Sequence, residues 1–403
     1  MTAGALSTCP RMLKAADALA SEYDVRVVSA DYGGWPHEAD ATLDATRRWA
    51  RTVVACDRRQ SSWTYIASGV RHRFFQQVTR AIGPDRAPSA AIERAYSRLH
   101  PELVQAALEK PFDFVYGGTN GALAAVAEAA AAAGIPYAVD LEDYHRGEHG
   151  PAGRLFNAMA ARIEAGALAG AAFATTSSRA IADAYRQDIG VSAAVLHNTF
   201  PLTSPPPFST PRSGTLRLYW FSQTIGPGRG LEDAIAAAGR ASLTGSLDLR
   251  GVPVAGYLDA LQALGRSQAP GLTIRALPPA PPDQMVEVAR GYDVGLALEQ
   301  TDVPNRALCL TNKAFTYILA GLAVAMTDTP GQHPLGVALG AGAALVPAGS
   351  PDALATSFAC WRDDPRRLDC AKRAAWRAAV ERWNWDHPLE RDTLLDLVRR
   401  SMS

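Results

Sequence analysis

The sequence has no excess of either charge, because its 403 residues contain 40 Lys and Arg against 40 Asp and Glu. This balance does not indicate a nucleic-acid or anionic-membrane partner, although it is compatible with a local basic cleft. No amphipathic basic helix stands out, so the sequence does not point to a lipid surface either. The length exceeds one ordinary domain and predicts two domains of roughly 150–200 residues.

Cysteines with metal-ligand spacing and long apolar runs are also lacking. The five cysteines are odd in number and scattered, which favours free thiols in a reducing cytoplasm: Cys9, Cys56, Cys309, Cys360 and Cys370. No run approaches the roughly 20 apolar residues that span a bilayer. The start lacks the apolar segment of a signal peptide. We therefore expect a cytoplasmic protein without a transmembrane segment.

Short β-rich runs alternate with helical stretches along both halves of the chain. The predicted strands of the first half are 23–30, 51–57, 112–118, 136–143, 171–178 and 193–198. Those of the second half are 215–222, 246–251, 272–278, 292–299, 322–328 and 343–349. Apolar strands that alternate with helices predict parallel sheets covered on both faces, so the fold class is α/β with two doubly wound domains.

The stretch TFPLTSPPPFSTPRSG at 199–214 is rich in proline and serine and is the best linker in the chain. It separates an N-terminal domain at 1–200 from a C-terminal domain at 215–384, with the linker at 201–214 and a helical tail at 385–403. The start is unusual, since a parallel α/β domain normally opens with a strand. Either MTAGAL is a stub of the first strand or the true start lies upstream, and we favour the second.

The stretch TNKAFTYILAGLAVAMTDTPGQ, which begins at Thr311, predicts a helix, a glycine stop and a buried strand. Thr311 or Asn312 can cap the helix, and Gly321 can adopt the left-handed stop. One helical face is apolar: Phe315, Ile318, Leu319 and Leu322. Such a helix begins at the carboxyl edge of its sheet, where its free N–H groups and Lys313 form an anion site. A solvated lysine on an ordinary first turn is the alternative.

Two further segments carry polar residues at predicted strand ends. In FSQTIGPGRGLEDAI, at 221–235, glycines allow close backbone approach and Arg229 precedes a helix, where a bidentate phosphate contact would suit it. A tight turn alone would need the same glycines. In YDVGLALEQTDVPNR, at 292–306, Glu299 follows a buried strand and could hold sugar hydroxyls, with Arg306 nearby. A solvated strand end is the alternative for Glu299.

These segments, together with the ending ERWNWD, resemble the family-4-type retaining glycosyltransferases of the GT-B fold, in which two Rossmann-like domains face each other across a cleft. In the first half, LSTCPRMLKAADALASEYDVRVVS and VLHNTF are similar to the same family. The resemblance implies that Arg229, with Gly228 beside it, grips the donor diphosphate. It also implies that the backbone around Cys309, Leu310 and Thr311 cradles the donor sugar and phosphate, without a metal or other cofactor.

The sequence departs from the family pattern at three positions. The paired glutamates of the family would fall on Leu308 and Thr316, neither of which is acidic. The arginine usually found before the diphosphate-binding residue falls on Thr224. The usual sugar and ribose contacts are then either missing or supplied by other groups, such as Glu299 or Asn312, which leaves the donor's identity open.

The densest polar cluster is VDLEDYHRGEHG at 139–150, whose polar residues follow the buried run PYAV at 136–139. Its position at the carboxyl edge of the first domain makes it the candidate catalytic loop. His145 could act as a general base on an acceptor, oriented by Glu142 or Asp143. A solvated acidic loop is the alternative. Glycine turns before helices add candidate acceptor contacts: Gly4, Arg11 and Asn120.

The sequence therefore predicts a cytoplasmic glycosyltransferase that binds a nucleotide sugar in its C-terminal domain and an acceptor in its N-terminal domain. We favour a small soluble acceptor, because no amphipathic basic helix stands out, although a thiol, a lipid carrier or a polysaccharide end is also compatible with the sequence. Charge neutralisation by Arg229, Lys313 and helix dipoles would stabilise the leaving diphosphate. The alternatives are a nucleotide-sugar epimerase or phosphorylase on the same fold, or a degenerate donor-binding subunit. The sequence is also compatible with a homodimer.

Overall fold

The computed structural model describes residues 1–208 and 214–402, so positions 209–213 of the predicted linker lie outside the described residues. The chain divides into two compact units. Unit 1 comprises Met1–His197 and Pro388–Ser403, and unit 2 comprises Asn198–His387. The chain thus returns to unit 1 for its last helix. The acceptor and donor roles that the sequence suggests for the two units stay predictions.

Unit 1 contains parallel strands β1 to β6, at Arg26–Asp31, Ala50–Ala55, Val115–Gly118, Tyr137–Asp140, Phe173–Thr176 and Ala194–Val195. Its helices α1 to α8 are Pro10–Leu19, Trp35–Thr46, Ser62–Ile82, Ser89–Tyr96, His100–Leu108, Leu123–Ala133, Arg154–Leu168 and Arg179–Ile189. The strands form a pair, β1-β2, and a four-stranded sheet in the order β3-β4-β5-β6. The parallel topology places the carboxyl ends of the strands at one edge.

The first residues of the chain lie between β1 and β3. Thr2 forms a parallel bridge with Gly118 at the end of β3, and its backbone N–H donates to the Val28 carbonyl of β1 at 2.9 Å. The backbone of Gly4 continues along β1, where its carbonyl accepts from Ala30 N–H. MTAGAL therefore contains a strand-like stub, as one of the two interpretations of this segment predicts.

Unit 2 contains parallel strands β7 to β12, at Thr215–Ile225, Thr244–Pro253, Leu272–Leu277, Val294–Ala297, Ala323–Thr327 and Ala343–Val346. Its helices α9 to α16 are Leu231–Arg240, Tyr257–Gln268, Met285–Ala289, Pro304–Leu308, Asn312–Leu319, His333–Leu339, Pro351–Asp363 and Pro365–Glu381. The strand order β12-β11-β10-β7-β8-β9 places the long strand β7 at the centre of the sheet. The order reverses beside β7, and ligands bind at such positions in open α/β sheets.

Both faces of the unit 2 sheet are covered. On β11, Ala323 and Ala325 belong to one apolar cluster, and Val324 and Met326 belong to the other. Successive residues of a strand point to opposite faces, so a strand that is apolar at every position must be buried on both sides. Helix α13 covers one of these faces with Phe315, Ile318 and Leu319, and Gly321, two residues after its end, has a φ of +74°.

Two sequence expectations are wrong. The predicted helical tail at 385–403 is only partly helical, because α16 ends at Glu381 and the last helix, α17, spans Arg391–Ser401. Pro388 lies between them, and proline cannot continue a helix from the preceding residues. Helix α3 is amphipathic and basic, contrary to the expectation that no such helix is present. Among the described residues, no helix combines the length and apolar character required to cross a bilayer.

Candidate functional site

The carboxyl edge of the unit 2 sheet brings together side chains from four separate segments. The glycine loop after β7 carries Arg229, and Glu299 follows β10. The short helix α12 carries Arg306, and the first turn of α13 carries Lys313. Neighbouring parallel strands end at the same edge, which is why residues as far apart in sequence as 229 and 313 meet.

Glu299 and Lys313 form a buried ion pair at the centre of this edge. The Lys313 Nζ donates to Glu299 Oε1 at 2.7 Å and to the Thr311 hydroxyl at 3.1 Å. The same Nζ lies 5.8 Å from the centre of the Trp220 ring. Thr311 is the N-cap residue of α13, but its side chain makes no capping bond and accepts from Lys313 instead. Neither alternative for these residues, a solvated lysine or a solvated strand end, fits this burial.

Two arginines add further positive charge around the Glu299 carboxylate. Arg229 Nη1 lies 3.9 Å from Glu299 Oε2, and about a third of the Arg229 side chain is exposed. Burial by itself would raise the pKa of Glu299, but Lys313, Arg229 and Arg306 together lower it below the usual value. The carboxylate is therefore ionised. Arg306 also pairs with Asp302, whose Oδ1 lies 3.2 Å from Arg306 Nη1. We call Arg229, Glu299, Arg306 and Lys313 the donor cluster, and its net charge stays positive when Asp302 is included.

Arg306 connects the glycine loop to α12. Its Nη1 donates to the Gly228 carbonyl at 2.7 Å. Gly228 has a φ of +71°, and a Cβ at this position would lie 2.6 Å from the same nitrogen. The position therefore requires glycine both for its conformation and for the close approach of the guanidinium. The contact fixes the loop that carries Arg229.

The segment Cys309–Leu310–Thr311 leads into α13 and lies against Gly331. The Cys309 N–H donates to the Asn305 carbonyl at 2.8 Å, and a Cβ on Gly331 would lie 2.4 Å from the Cys309 carbonyl oxygen. Asn312, at the first position of α13, is half-buried. The first N–H groups of a helix have no acceptor within it and point toward the space before it. This helix start is therefore suited to an anion.

Sequence inspection missed two residues that position Glu299. The Thr327 hydroxyl, at the end of β11, donates to the Glu299 carbonyl at 2.7 Å. The buried Gln332 amide donates to the carbonyls of Ala297 and Thr327, each at 3.0 Å. These bonds connect the ends of β10 and β11. The sequence pattern that could have identified both residues is TDTPGQ, whose polar residues directly follow a fully apolar strand.

In unit 1, Arg11 is fully engaged at the carboxyl edge of the sheet. Its Nε and Nη2 donate to the two carboxylate oxygens of Asp140 at 2.7 and 2.6 Å, and its Nη1 donates to the Leu196 carbonyl at 2.5 Å. Thr175 donates to Asp140 Oδ1 at 2.7 Å. Both members of the ion pair are buried. Arg11 thus joins α1, β4 and the end of β6, and acceptor contact by its side chain stays a prediction.

His145 is buried with Asn120 and Glu148 beside it. His145 Nδ1 lies 3.5 Å from Glu148 Oε2, a separation longer than a good hydrogen bond, and neither ring nitrogen has a hydrogen-bond partner among the described residues. Asn120 Nδ2 donates to the same Glu148 oxygen at 3.1 Å, and Asn120 Oδ1 is buried without a partner. Burial alone would lower the pKa of His145, but Glu148 more than offsets this effect and raises it. These groups offer unused polar atoms to a bound molecule.

Glu142 and Asp143 come between β4 and His145. Burial, assisted by the adjacent Asp143 charge, raises the pKa of Glu142 to about 7. The backbone of the loop is held in place, because the Glu142 carbonyl accepts from Ser177 Oγ and the Asp143 carbonyl accepts from the Tyr185 hydroxyl at 3.2 Å. A carboxyl group with such a pKa can accept a proton near neutral pH. Gly4, the remaining predicted acceptor contact, is half-buried next to Cys9.

A possible metal-binding group lies elsewhere in unit 1, on α4, α5 and α6. Donor atoms of Glu93, His100 and Glu128 lie within 4.8 Å of one another. His100 is completely buried, and its Nε2 is already hydrogen-bonded to Glu128 Oε2 at 2.7 Å. Its Nδ1 has no partner, whereas a metal-ligating histidine usually donates its second nitrogen to an acceptor. The group therefore fits a histidine–carboxylate hydrogen bond better than a metal site.

Known structures share this architecture over nearly the whole chain. HepE from Anabaena, in complex with UDP and glucose, has a TM-score of 0.67 and 16% identity and covers 98% of this chain and 95% of its own. Sucrose-phosphate synthase from Thermosynechococcus elongatus has a TM-score of 0.66 and 11% identity, with coverages of 97% and 92%. A glycosyltransferase from Rickettsia africae has a TM-score of 0.63 and 8% identity, with coverages of 100% and 97%. The chain has the GT-B fold, as the resemblance implied.

A family model matches the N-terminal half. Residues 9–199 match the model of the glycosyl transferase 4-like domain. This half of the chain is therefore a glycosyl transferase 4-like domain, and the protein is a glycosyltransferase. No curated protein matches it at a significant level.

Proposed function

We propose that this enzyme transfers a sugar from a nucleoside-diphosphate sugar bound by unit 2 to an acceptor nucleophile bound by unit 1. The observation that carries the proposal is the donor cluster, in which three cations outnumber the buried carboxylate of Glu299 and the carboxylate of Asp302 beside Arg306. Such a cluster beside the start of α13 can neutralise a diphosphate, which needs more positive charge than one lysine supplies. The complexes of HepE with UDP support a diphosphate donor by analogy.

The bonds that form and break follow from this arrangement. The acceptor oxygen or sulfur bonds to the anomeric carbon, and the bond from that carbon to the phosphate oxygen breaks with its electron pair on the diphosphate. Arg229, Arg306 and the N-terminus of α13 stabilise the charge that develops there, without a metal ion. The acceptor proton passes to Glu142, while His145 and Asp143 hold the acceptor in position. Retention of configuration is part of the proposal and rests on the resemblance to family-4-type enzymes.

The remaining assignments concern the surroundings of the reaction. We propose a cytoplasmic enzyme in a biosynthetic reaction, which is compatible with the free state of all five cysteines. The proposal is compatible with a homodimer. The preference for a small soluble acceptor depended on the absence of an amphipathic basic helix, so the presence of α3 removes the reason for that preference.

Incubation with a panel of radiolabelled nucleotide sugars tests this function. The proposal expects a labelled product only when an acceptor is supplied, with release of one nucleoside diphosphate for each sugar transferred. Conversion of the donor sugar without an acceptor would show an epimerase, and a requirement for inorganic phosphate would show a phosphorylase. Tight donor binding with no turnover for any acceptor would support the degenerate donor-binding subunit.

A further inference from the structure

Helix α3 exposes a continuous apolar stripe on the surface of unit 1. Four large side chains on this helix are exposed: Trp63 by 80%, Ile66 by 54%, Val70 by 62% and Phe74 by 61%. Their spacing of three, four and four residues places them on one helical face over more than three turns. Single exposed apolar residues are ordinary, but a contiguous row of this length marks an interaction surface.

The segment that carries this stripe is strongly basic. Positions 58–84 contain no Asp or Glu, although charges of the whole chain balance, and they contain five arginines: Arg58, Arg59, Arg71, Arg73 and Arg80. Arg71 pairs with Glu102 of α5, and the other four are exposed. Arg73 and Arg80, seven residues apart, follow one border of the stripe. The exposed side of α3 therefore combines an apolar centre with a positive margin.

The opposite side of α3 holds the helix firmly in unit 1. Ser68 and Thr79 are completely buried, and the Ser68 hydroxyl accepts from Arg98 Nε at 3.0 Å. The apolar stripe is therefore the outer face of an anchored helix and not a core face turned outward. Since the inner contacts do not involve the stripe, substitutions on the stripe leave the fold of unit 1 intact.

We propose that this face docks on an anionic lipid bilayer. A helix with a tryptophan and phenylalanine on its apolar face and arginines beside it lies in the plane of the membrane interface. Each arginine near such a surface adds to the attraction by acidic headgroups. A second copy of this chain fits less well, because a symmetric contact through α3 would oppose the same arginines across the interface.

Docking through α3 brings lipid close to the carboxyl edge of unit 1. The helix follows β2, and Gln60, just before it, donates to Asp31 Oδ2 at 3.3 Å, where β1 ends. The His145 loop follows β4 at the carboxyl end of a parallel strand in the same unit. An acceptor at this edge would therefore be presented from the membrane surface. The docking itself requires neither a bound donor nor turnover.

Flotation of the full chain with vesicles tests the proposal. We expect binding to vesicles in which about a third of the lipid is phosphatidylglycerol, and much weaker binding to pure phosphatidylcholine. The double variant Val70→Ser/Phe74→Ser should have a partition coefficient for the acidic vesicles that is at least about tenfold lower, because two apolar side chains no longer enter the interface. Arg73→Gln with Arg80→Gln should lower binding to the acidic vesicles roughly tenfold and leave pure phosphatidylcholine unaffected.

The matched control is Val337→Ser in unit 2, because Val337 is exposed by the same 62% as Val70. This variant should bind vesicles like the wild type, and circular dichroism should show all variants folded. Failure of the wild type to float with acidic vesicles, or equal flotation of the Val70 and Phe74 variant, overturns the proposal. A concentration-dependent oligomer that disappears in that variant would assign α3 to a protein contact instead. Donor binding measured on the same samples keeps the outcome separate from the proposed function.

Discussion

The carboxyl edges of the two units occupy equivalent positions in two parallel sheets, yet their charges differ in sign. In unit 2, Arg229, Arg306 and Lys313 outnumber two carboxylates, those of the buried Glu299 and of Asp302, which pairs with Arg306. In unit 1, Arg11 is matched by Asp140, and three carboxyl groups lie near His145: Glu142, Asp143 and Glu148. The first edge is thus suited to an anion, and the second offers groups that can accept a proton. The topology fixes where a site lies, and the local charge decides what it does.

The largest expected effect concerns the acidic edge. Glu142→Gln should lower kcat by roughly 10²–10⁴, because the acceptor proton then has no base to accept it. His145→Ala should also lower kcat and raise KM for the acceptor, while the affinity for nucleoside diphosphate stays unchanged in both variants. Glu109→Gln, an exposed acid of unit 1, is the matched control and should keep full turnover. Normal turnover of both site variants would make this loop a structural element.

The next effect concerns the stability of unit 1. Arg11→Met leaves the buried carboxylate of Asp140 without its partner, and removal of one member of a buried ion pair costs about 3–5 kcal/mol. Thermal denaturation should show a lower midpoint than the wild type. Arg11→Met with Asp140→Asn should recover part of the loss, since no unpaired charge remains buried. If the single variant is as stable as the wild type, Arg11 is available for a ligand contact.

The pH dependence sharpens the role of Glu142. Its pKa is raised to about 7, so the carboxylate required of a base forms only as the pH rises through that value. The value of kcat/KM for the acceptor should increase with pH below about 7 and level off above it. Glu142→Gln should remove this rising limb. A profile of the same shape in that variant would assign the titration to another group.

Strand positions could be predicted from the sequence because each buried strand is a short apolar run bounded by turn residues. Every strand predicted in the first and second halves overlaps one in the structure. The position of Arg229 and Lys313 at one sheet edge was predictable, because each lies at the start of a helix that follows a recognisable strand. Anion binding there stays a prediction. The ion pair between Lys313 and Glu299 was not, since it depends on which strands are neighbours in the sheet.

The exposed apolar face of helix α3, in contrast, could not be predicted from the sequence. Periodicity identifies an apolar face but does not tell which neighbour covers it, so Trp63 and Phe74 resemble core residues in the sequence. Only the packing of the buried side against unit 1 shows that they face outward. The engagement of Arg11 by Asp140 was equally hidden, because its partner is 129 residues away.

Calorimetry with nucleoside diphosphates and the matching nucleosides tests most directly whether the positive edge of unit 2 binds a diphosphate. Arg229→Ala is the cleanest variant, because Lys313→Ala would also leave the buried Glu299 without its nearest partner. The wild type should bind a diphosphate far more tightly than its nucleoside. Arg229→Ala should weaken the diphosphate at least about tenfold and leave the nucleoside unaffected.

The loss should be larger at low salt than at high salt, because part of the Arg229 side chain is exposed to screening ions. Arg266→Ala, at an exposed position of α10, is the matched control and should bind like the wild type. Equal affinity of the wild type for diphosphate and nucleoside, or unchanged diphosphate binding by Arg229→Ala, would contradict the account.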